Sequence, residues 1–185
     1  MRKFSADLKL PFNSDFMLED VKRDCDRTKL GHFAYDKTKF DPRVTEYLRE
    51  RGLCISHYEI FFTPAHSLLA IHVDGSKLSN IVKLNWVWGG TGRRMMWWKM
   101  REGCSLTQGT TPVNTPYLYA EQRQCIMIES AKIGRPTLVN VGQPHSVVNA
   151  TPEDRWCLSA VLAGIEEQTN LEWDAVVEKL GADLE

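Results

Sequence analysis

The chain has 185 residues, 43% hydrophobic and 25% charged, which is ordinary for a globular protein long enough to build a sizeable core. Its formal net charge of −1 favours neither nucleic acid nor a membrane surface as a partner. Five cysteines without a CxxC pair argue against a zinc knuckle or a disulfide framework. The sequence shows no signal peptide and no apolar stretch of transmembrane length. We therefore expect residues 1–185 to form a single cytoplasmic domain with reduced thiols.

Residues 1–52 are predicted to form helices and a strand that precede the core in the sequence and are additions to it. Alternating apolar residues at 8–12 predict a short strand, and the polar run at 13–15 can cap a short helix. A stronger signal follows at Asp41 and Pro42, a capping residue with proline at the first helical position. This second helix is predicted to stop at Gly52, a residue type that commonly follows a helix end.

From residue 53 the pattern changes to short strands separated by turn residues, which predicts a β-sandwich or barrel. The predicted strands are Leu53–Thr63, Ser67–Val73, Asn80–Trp88, Arg94–Met100, Cys125–Glu129, Thr137–Val141, His145–Asn149 and Arg155–Ala163. The glycine-rich run at 89–92 is predicted as a hairpin turn, and 103–119 as a long, mobile polar loop over the barrel mouth. Within the last segment, 164–185, Asn170 is predicted to cap a helix that ends at Gly181.

The candidate metal ligands begin with His72 and Asp74, because a strand places residues i and i+2 on the same face. A His-x-acid pair alone is weak evidence, and His57 with Glu59 is a second example in this sequence. The second pair lies in the middle of a predicted strand, where a ligand set would be sealed in the core. His72 and Asp74 instead lie where a strand ends at a glycine, at a mouth that substrate can reach. We therefore prefer them.

His145 is the candidate for the third ligand. Two histidines and one carboxylate with open positions form the facial triad of non-haem iron oxygenases. The turn residues at 151–154 predict that the strands before and after them pair as a hairpin. In such a hairpin Arg155 would lie about four residues, roughly 13 Å, along from His145. A five-carbon diacid could span that distance between a metal ion and the guanidinium group.

Two runs carry a family resemblance. Pro144-His145-Ser146-Val147-Val148-Asn149 followed by Arg155-Trp156-Cys157-Leu158-Ser159 resembles the distal-histidine region of the Fe(II)/2-oxoglutarate-dependent dioxygenases. Leu84-Asn85-Trp86 resembles a subset in which the asparagine faces the cosubstrate. One departure is that Cys157 stands where the family often has serine.

The resemblance implies a double-stranded β-helix, or jelly roll, over residues 53–163 with flanking N-terminal and C-terminal helices. It implies that His72, Asp74 and His145 hold Fe(II), and that Arg155 and Asn85 bind 2-oxoglutarate. The implied activity uses O2 to hydroxylate an unactivated C–H bond, with release of succinate and CO2. The substrate would be a small molecule or a protein side chain. Whether Lys83, Ser159 or Trp98 also contacts cosubstrate or substrate is left open.

Two other classes of function remain as alternatives. A cupin-type metal-binding jelly roll would act without 2-oxoglutarate and would usually use more than two histidines, with His66 as the further candidate. A non-catalytic β-sandwich would bind sugar or protein through its tryptophan cluster, and His72→Ala would then leave its function intact. A nucleic-acid demethylase is disfavoured by the net charge.

Overall fold

A computed structural model of the chain describes residues 3–14, 17–24, 31–35, 37–90, 94–110, 116–134 and 136–185. Its strands and helices, in chain order, are β1 (Ser5–Asp7), α1 (Met17–Asp24), β2 (Gly31–Ala34), α2 (Pro42–Arg49), β3 (Leu53–Thr63), β4 (Ser67–Leu68), β5 (Ile71–Val73), β6 (Val82–Gly89), β7 (Arg94–Met100), β8 (Thr107–Thr110), β9 (Pro116–Ala120), β10 (Cys125–Lys132), β11 (Thr137–Asn140), β12 (His145–Asn149), β13 (Arg155–Gly164) and α3 (Trp173–Leu180).

The strands form two antiparallel sheets. In the first sheet the strand order is β1-β11-β6-β13-β3-β2, and in the second it is β10-β7-β12-β5-β9-β8, with β4 also paired to β12. From β5 onward the chain crosses repeatedly from one sheet to the other, so that β6, β11 and β13 belong to the first sheet and the strands between them to the second. This is a jelly roll, as the sequence predicted.

The first sheet is covered on both faces. Every residue of β13 is buried, which is the pattern of a strand with packed layers on either side. Its even-numbered side chains from Trp156 to Leu162 pack in one cluster with apolar residues of α2 and α3. Cys157, on the opposite face, packs with Val87 of the same sheet and with Trp97 and Val147 of the second sheet. The space between the sheets is therefore lined by Cys157 and by the side chains that share its face.

Helix α2 begins as predicted, because the Asp41 side chain accepts a hydrogen bond from the backbone N–H of Arg43 at 2.9 Å and Pro42 follows the cap. Helix α3 begins later than predicted. Its N-cap is Glu172, and Asn170 instead forms an isolated bridge with Ala163. Over the described ranges, each α-helix has eight residues, and none is long and apolar enough to cross a membrane.

Two predicted hairpins are wrong. β12 lies in the second sheet and β13 in the first, so the turn at 151–154 connects sheets and not paired neighbours. The glycine-rich run likewise follows β6 of the first sheet and precedes β7 of the second, although residues 91–93 lie outside the described residues. Turn residues indicate that the chain changes direction. They do not indicate which strand the next strand pairs with, because that depends on which of its faces must be buried.

Other boundaries also differ from the prediction. The segment 103–119 contains β8 and all but the last residue of β9, and these strands pair with each other, so it is not one long loop; residues 111–115 lie outside the described residues. The N-terminal strand is β1, and the predicted strand at 8–12 contributes only an isolated bridge of Leu8. Helix α1 begins at Met17, and Asp15 of its predicted cap is not among the described residues.

Four cysteines are free thiols in the described part of the chain. Cys125 and Cys157 are buried, as expected for reduced structural thiols, whereas Cys54 and Cys104 are only half-buried. Cys25 lies outside the described residues.

Candidate metal centre

The structure brings His72, Asp74 and His145 together at one point of the second sheet. His72 on β5 and His145 on β12 are direct cross-strand partners, and their ring centroids are 4.3 Å apart. Asp74 directly follows β5, and its Oδ1 lies 3.5 Å from His72 Nε2 and 3.9 Å from His145 Nε2. Two ligands about 2.1 Å from one ion are at most about 4.2 Å apart, and both distances meet this limit.

Both imidazole rings are oriented by backbone carbonyls. Nδ1 of His72 lies 2.8 Å from the carbonyl oxygen of Ala70, and Nδ1 of His145 lies 2.9 Å from that of Gln143. A ring that donates its Nδ1–H to a carbonyl carries its lone pair on Nε2. Both Nε2 lone pairs then face Asp74, which is the arrangement that metal-binding histidines use.

The charges around these groups favour the protonation states that a metal ion requires. Burial, reinforced by His72, lowers the pKa of His145 to about 3, although Asp74 opposes the shift. Burial alone would raise the pKa of Asp74, but the Lys83 ammonium outweighs this effect and holds that pKa well below its ordinary value. Neutral imidazole and ionised carboxylate are the forms that bind metal.

The group is partly open to solvent. The side chain of His145 is 4% exposed, whereas those of His72 and Asp74 are 24% and 27% exposed. The group therefore lies at the edge of the space between the sheets, where the sequence analysis expected a mouth.

Lys83 connects the two sheets at this point. It lies on β6, on the face that β6 turns toward the second sheet, and its Nζ is 2.7 Å from Asp74 Oδ2 and in contact with Glu59 Oε2. Burial would lower the pKa of Lys83, but Asp74 and Glu59 raise it above its ordinary value. The role of Lys83 was open from the sequence; the available signal was its charged side chain in a strand that is apolar apart from Asn85.

The pair His57 and Glu59 is not sealed in the core. The His57 side chain is 61% exposed and that of Glu59 is 14% exposed, so the reason given for setting this pair aside is wrong for His57. Glu59 is instead connected to the group of His72, Asp74 and His145 through its ion pair with Lys83, which contacts Asp74.

Arg155 is buried at the start of β13, on the same face as Cys157 and Ser159. Its cross-strand partners are Thr63 and Gly89, and its side chain interacts with Cys157: burial raises the pKa of that thiol, and the guanidinium opposes the shift. Arg155 therefore faces the sheet that carries His72 and His145, although not through the predicted hairpin. The distance predicted from that hairpin no longer applies.

Asn85 lies on the same inner face, opposite Ser159 in the neighbouring strand. The Ser159 hydroxyl donates to Asn85 Oδ1 at 2.7 Å, which leaves the amide N–H groups of Asn85 as donors. Among the described contacts this is the only hydrogen bond of the Asn85 side chain. Asn85, Ser159 and Arg155 thus share one face of the first sheet.

Trp97 and Trp98 point to opposite faces of β7, as the strand period requires. Trp97 packs between the sheets and donates to the carbonyl of Asn140 at 2.8 Å. Trp98 packs on the outer face and donates to the Ser146 hydroxyl at 2.9 Å. Trp98 therefore does not line the space between the sheets.

Sequence reasoning missed one neighbour of His72. Tyr119 on β9 is the direct cross-strand partner of His72.

No family model and no curated protein matches the chain. Similar solved structures include HygX of Streptomyces hygroscopicus with nickel and 2-oxoglutarate bound, at 12% identity and a TM-score of 0.42, over 81% of this chain and 76% of that one. An uncharacterised protein of Klebsiella pneumoniae with a double-stranded β-helix domain aligns at 13% identity and a TM-score of 0.38, over 80% and 89%.

The viral collagen prolyl hydroxylase of Paramecium Bursaria Chlorella virus-1, in complex with 2-oxoglutarate, aligns at 9% identity and a TM-score of 0.36, over 80% of this chain and 88% of that one. At such identities and scores, the likeness assigns no function to this chain.

Proposed function

We propose that this protein is an Fe(II)- and 2-oxoglutarate-dependent oxygenase that hydroxylates an unactivated C–H bond. The observation that carries the proposal is the convergence of His72 Nε2, His145 Nε2 and Asp74 Oδ1, with both rings oriented by backbone carbonyls. Two imidazoles and one carboxylate on one side of an ion leave its other positions open. Together, iron and 2-oxoglutarate supply O2-dependent oxidation of a C–H bond, with 2-oxoglutarate converted to succinate and CO2.

Arg155 is our candidate for holding the distal carboxylate of 2-oxoglutarate. The guanidinium is a planar fork that matches a carboxylate, and its burial on the inner face would strengthen the pairing. Lys83 is the other buried cation on this face in the described part of the chain, but it already pairs with Asp74 and Glu59. Asn85 would donate from its amide to the same cosubstrate.

The cupin-type alternative without 2-oxoglutarate has less support. Its further ligand would be His66, which lies before β4 with a positive φ of 55°. Within the described residues, the group that could hold a metal consists of His72, Asp74 and His145, and His66 is not part of it.

The proposal is tested by supplying the purified protein with Fe(II), O2 and ascorbate and measuring the conversion of labelled 2-oxoglutarate to succinate. We expect slow conversion without substrate, because bound Fe(II), O2 and 2-oxoglutarate can react with ascorbate as the reductant, and none in Asp74→Ala, which lacks one of the three proposed ligands. A protein that holds the metal but neither binds nor converts 2-oxoglutarate would contradict the proposed oxygenase function. Only the assignment of a metal-binding jelly roll would then stand.

A further inference from the structure

The strongest feature that the proposed function does not use is the chain of contacts from Glu59 through Lys83 to Asp74. Lys83 reaches from the first sheet across to the loop that follows β5, and its Nζ contacts one oxygen of each carboxylate. The three side chains come from three separate segments of the chain. Their exposed fractions are 14% for Glu59, 9% for Lys83 and 27% for Asp74, so solvent screens these contacts only in part.

A buried ammonium is costly unless it is paired and hydrogen-bonded. Here two carboxylates share one ammonium, so the formal charges of Glu59, Lys83 and Asp74 sum to −1. That is the charge of a single carboxylate ligand. Glu59 therefore cancels the repulsion that the Lys83 ammonium would otherwise exert on a cation bound at Asp74.

The contact with Lys83 gives the two oxygens of Asp74 different partners. Oδ2 is 2.7 Å from Lys83 Nζ, and Oδ1 is the oxygen that faces both imidazole Nε2 atoms. A carboxylate that is free to rotate can bind a cation through both oxygens. Binding through both oxygens would occupy a coordination position that a second ligand needs.

We propose that Lys83, held by Glu59, is a positioning residue that keeps Asp74 a ligand through one oxygen and that sets, with Glu59, the charge of the metal centre. The inference deepens the proposed function, since it rests on metal binding at His72, Asp74 and His145. It concerns two residues that would not touch the metal ion.

The test is titration of the metal-free protein with Co(II) under anaerobic conditions, followed by visible absorption. Glu59→Gln raises the local formal charge from −1 to 0, and we expect metal affinity to fall about tenfold or more. Lys83→Met lowers that charge to −2, and we expect affinity equal to or higher than that of the wild type. The double variant restores −1, and its affinity should return to within a few-fold of the wild-type value.

A second titration reads the orientation of Asp74 and not the charge. We expect 2-oxoglutarate to bind the Co(II)-loaded double variant about tenfold or more weakly than the wild type, although both hold the metal equally well. Lys83→Arg keeps the charge and a donor to Oδ2, so its affinity for 2-oxoglutarate should lie between those of the wild type and the double variant. Lys99→Met, at an exposed position of β7, is the matched control and should change neither titration.

The outcomes separate the two claims. A wild-type protein that binds no Co(II) contradicts the proposed function and this inference together. If the wild type binds Co(II), but Glu59→Gln and Lys83→Met both weaken binding or both leave it unchanged, only the inference is wrong. A shared weakening would mean that the ion pairs merely hold the sheets together, and circular dichroism and thermal melting of each variant would show the accompanying loss of stability.

Discussion

At the scale of single residues, the proposed metal centre depends on three side chains that would each supply one ligand atom. We expect His72→Ala, Asp74→Ala and His145→Ala each to remove most of the bound metal, because two remaining ligands make a weak site. The measurement is metal content per chain after loading with Fe(II) and desalting without oxygen. His66→Asn is the matched control, since His66 is exposed and outside the group, and asparagine tolerates its positive φ. Unchanged metal content in all three variants would contradict the assignment.

A second residue-scale prediction concerns His145 and acid stability. Burial lowers the pKa of His145 to about 3, whereas its ordinary value is 6.5. Below pH 6.5 the unfolded chain binds a proton at this residue that the folded chain does not bind. The free energy of unfolding of the metal-free protein should therefore fall as the pH falls from 6.5 toward 4.5, by up to about 1.4 kcal/mol per pH unit from this residue alone.

The measurement is urea unfolding of the metal-free wild type and His145→Gln at several pH values in that window. The variant should show a shallower dependence, because it has no proton to gain at this position. Equal dependence in both proteins would mean that His145 is not held neutral by its surroundings.

Sequence reasoning identified the three side chains that the structure brings together, but not the residues that surround and orient them. His72 and Asp74 could be recognised because the strand period is local and needs no knowledge of pairing. The contact of Lys83 with Glu59 joins residues 24 apart in the sequence, and its existence depends on which strands share a face. The carbonyl acceptors of Ala70 and Gln143 are backbone groups, which residue type does not reveal.

At the scale of elements, Gly89 ends β6 at the point where the chain leaves the first sheet. Its φ is +71°, and a Cβ atom there would lie 2.0 Å from the carbonyl oxygen of Asp154. Gly89→Ala should therefore destabilise the fold through both the left-handed backbone and the clash. Gly103 is a matched control, because its φ is +74° and a Cβ there would meet nothing within 4 Å.

We expect Gly103→Ala to lower the free energy of unfolding by about 1–2 kcal/mol, the cost of the left-handed backbone, and Gly89→Ala to lower it by clearly more. Denaturant unfolding of the two variants and the wild type measures the difference. Equal losses would show that the segments at Gly89 and Asp154 do not pack closely.

The same elements show where prediction from the pattern stops. Arg94–Met100 and His145–Asn149 have the predicted bounds, because apolar and β-branched runs between turn residues mark a strand locally. Their partners were predicted wrongly, since a turn such as 151–154 connects strands of one sheet or of two with the same residues. β8 was missed because its residues Thr107–Thr110 are largely exposed and carry no apolar alternation.

At the scale of the whole molecule, the fold class was predictable from a resemblance carried by the strand containing His145 and the segment beginning at Arg155. The placement of the two residues was not predictable. They lie in opposite sheets, each on a face turned toward the interior of the jelly roll, and not on the two strands of one hairpin. The central claim is that this interior holds a metal ion at the His72 side and a dicarboxylate between it and Arg155.

Titration of 2-oxoglutarate into the anaerobic Fe(II) protein, followed through its visible charge-transfer band, tests this claim most directly. Loss of one partner of a buried charge pair typically costs about 2–5 kcal/mol, which is roughly a 30- to 5,000-fold loss of affinity. We expect that loss in Arg155→Ala with metal content intact, partial recovery in Arg155→Lys, and wild-type binding in Arg123→Ala, whose side chain is 81% exposed. No band in the wild type, or wild-type affinity in Arg155→Ala, would contradict it.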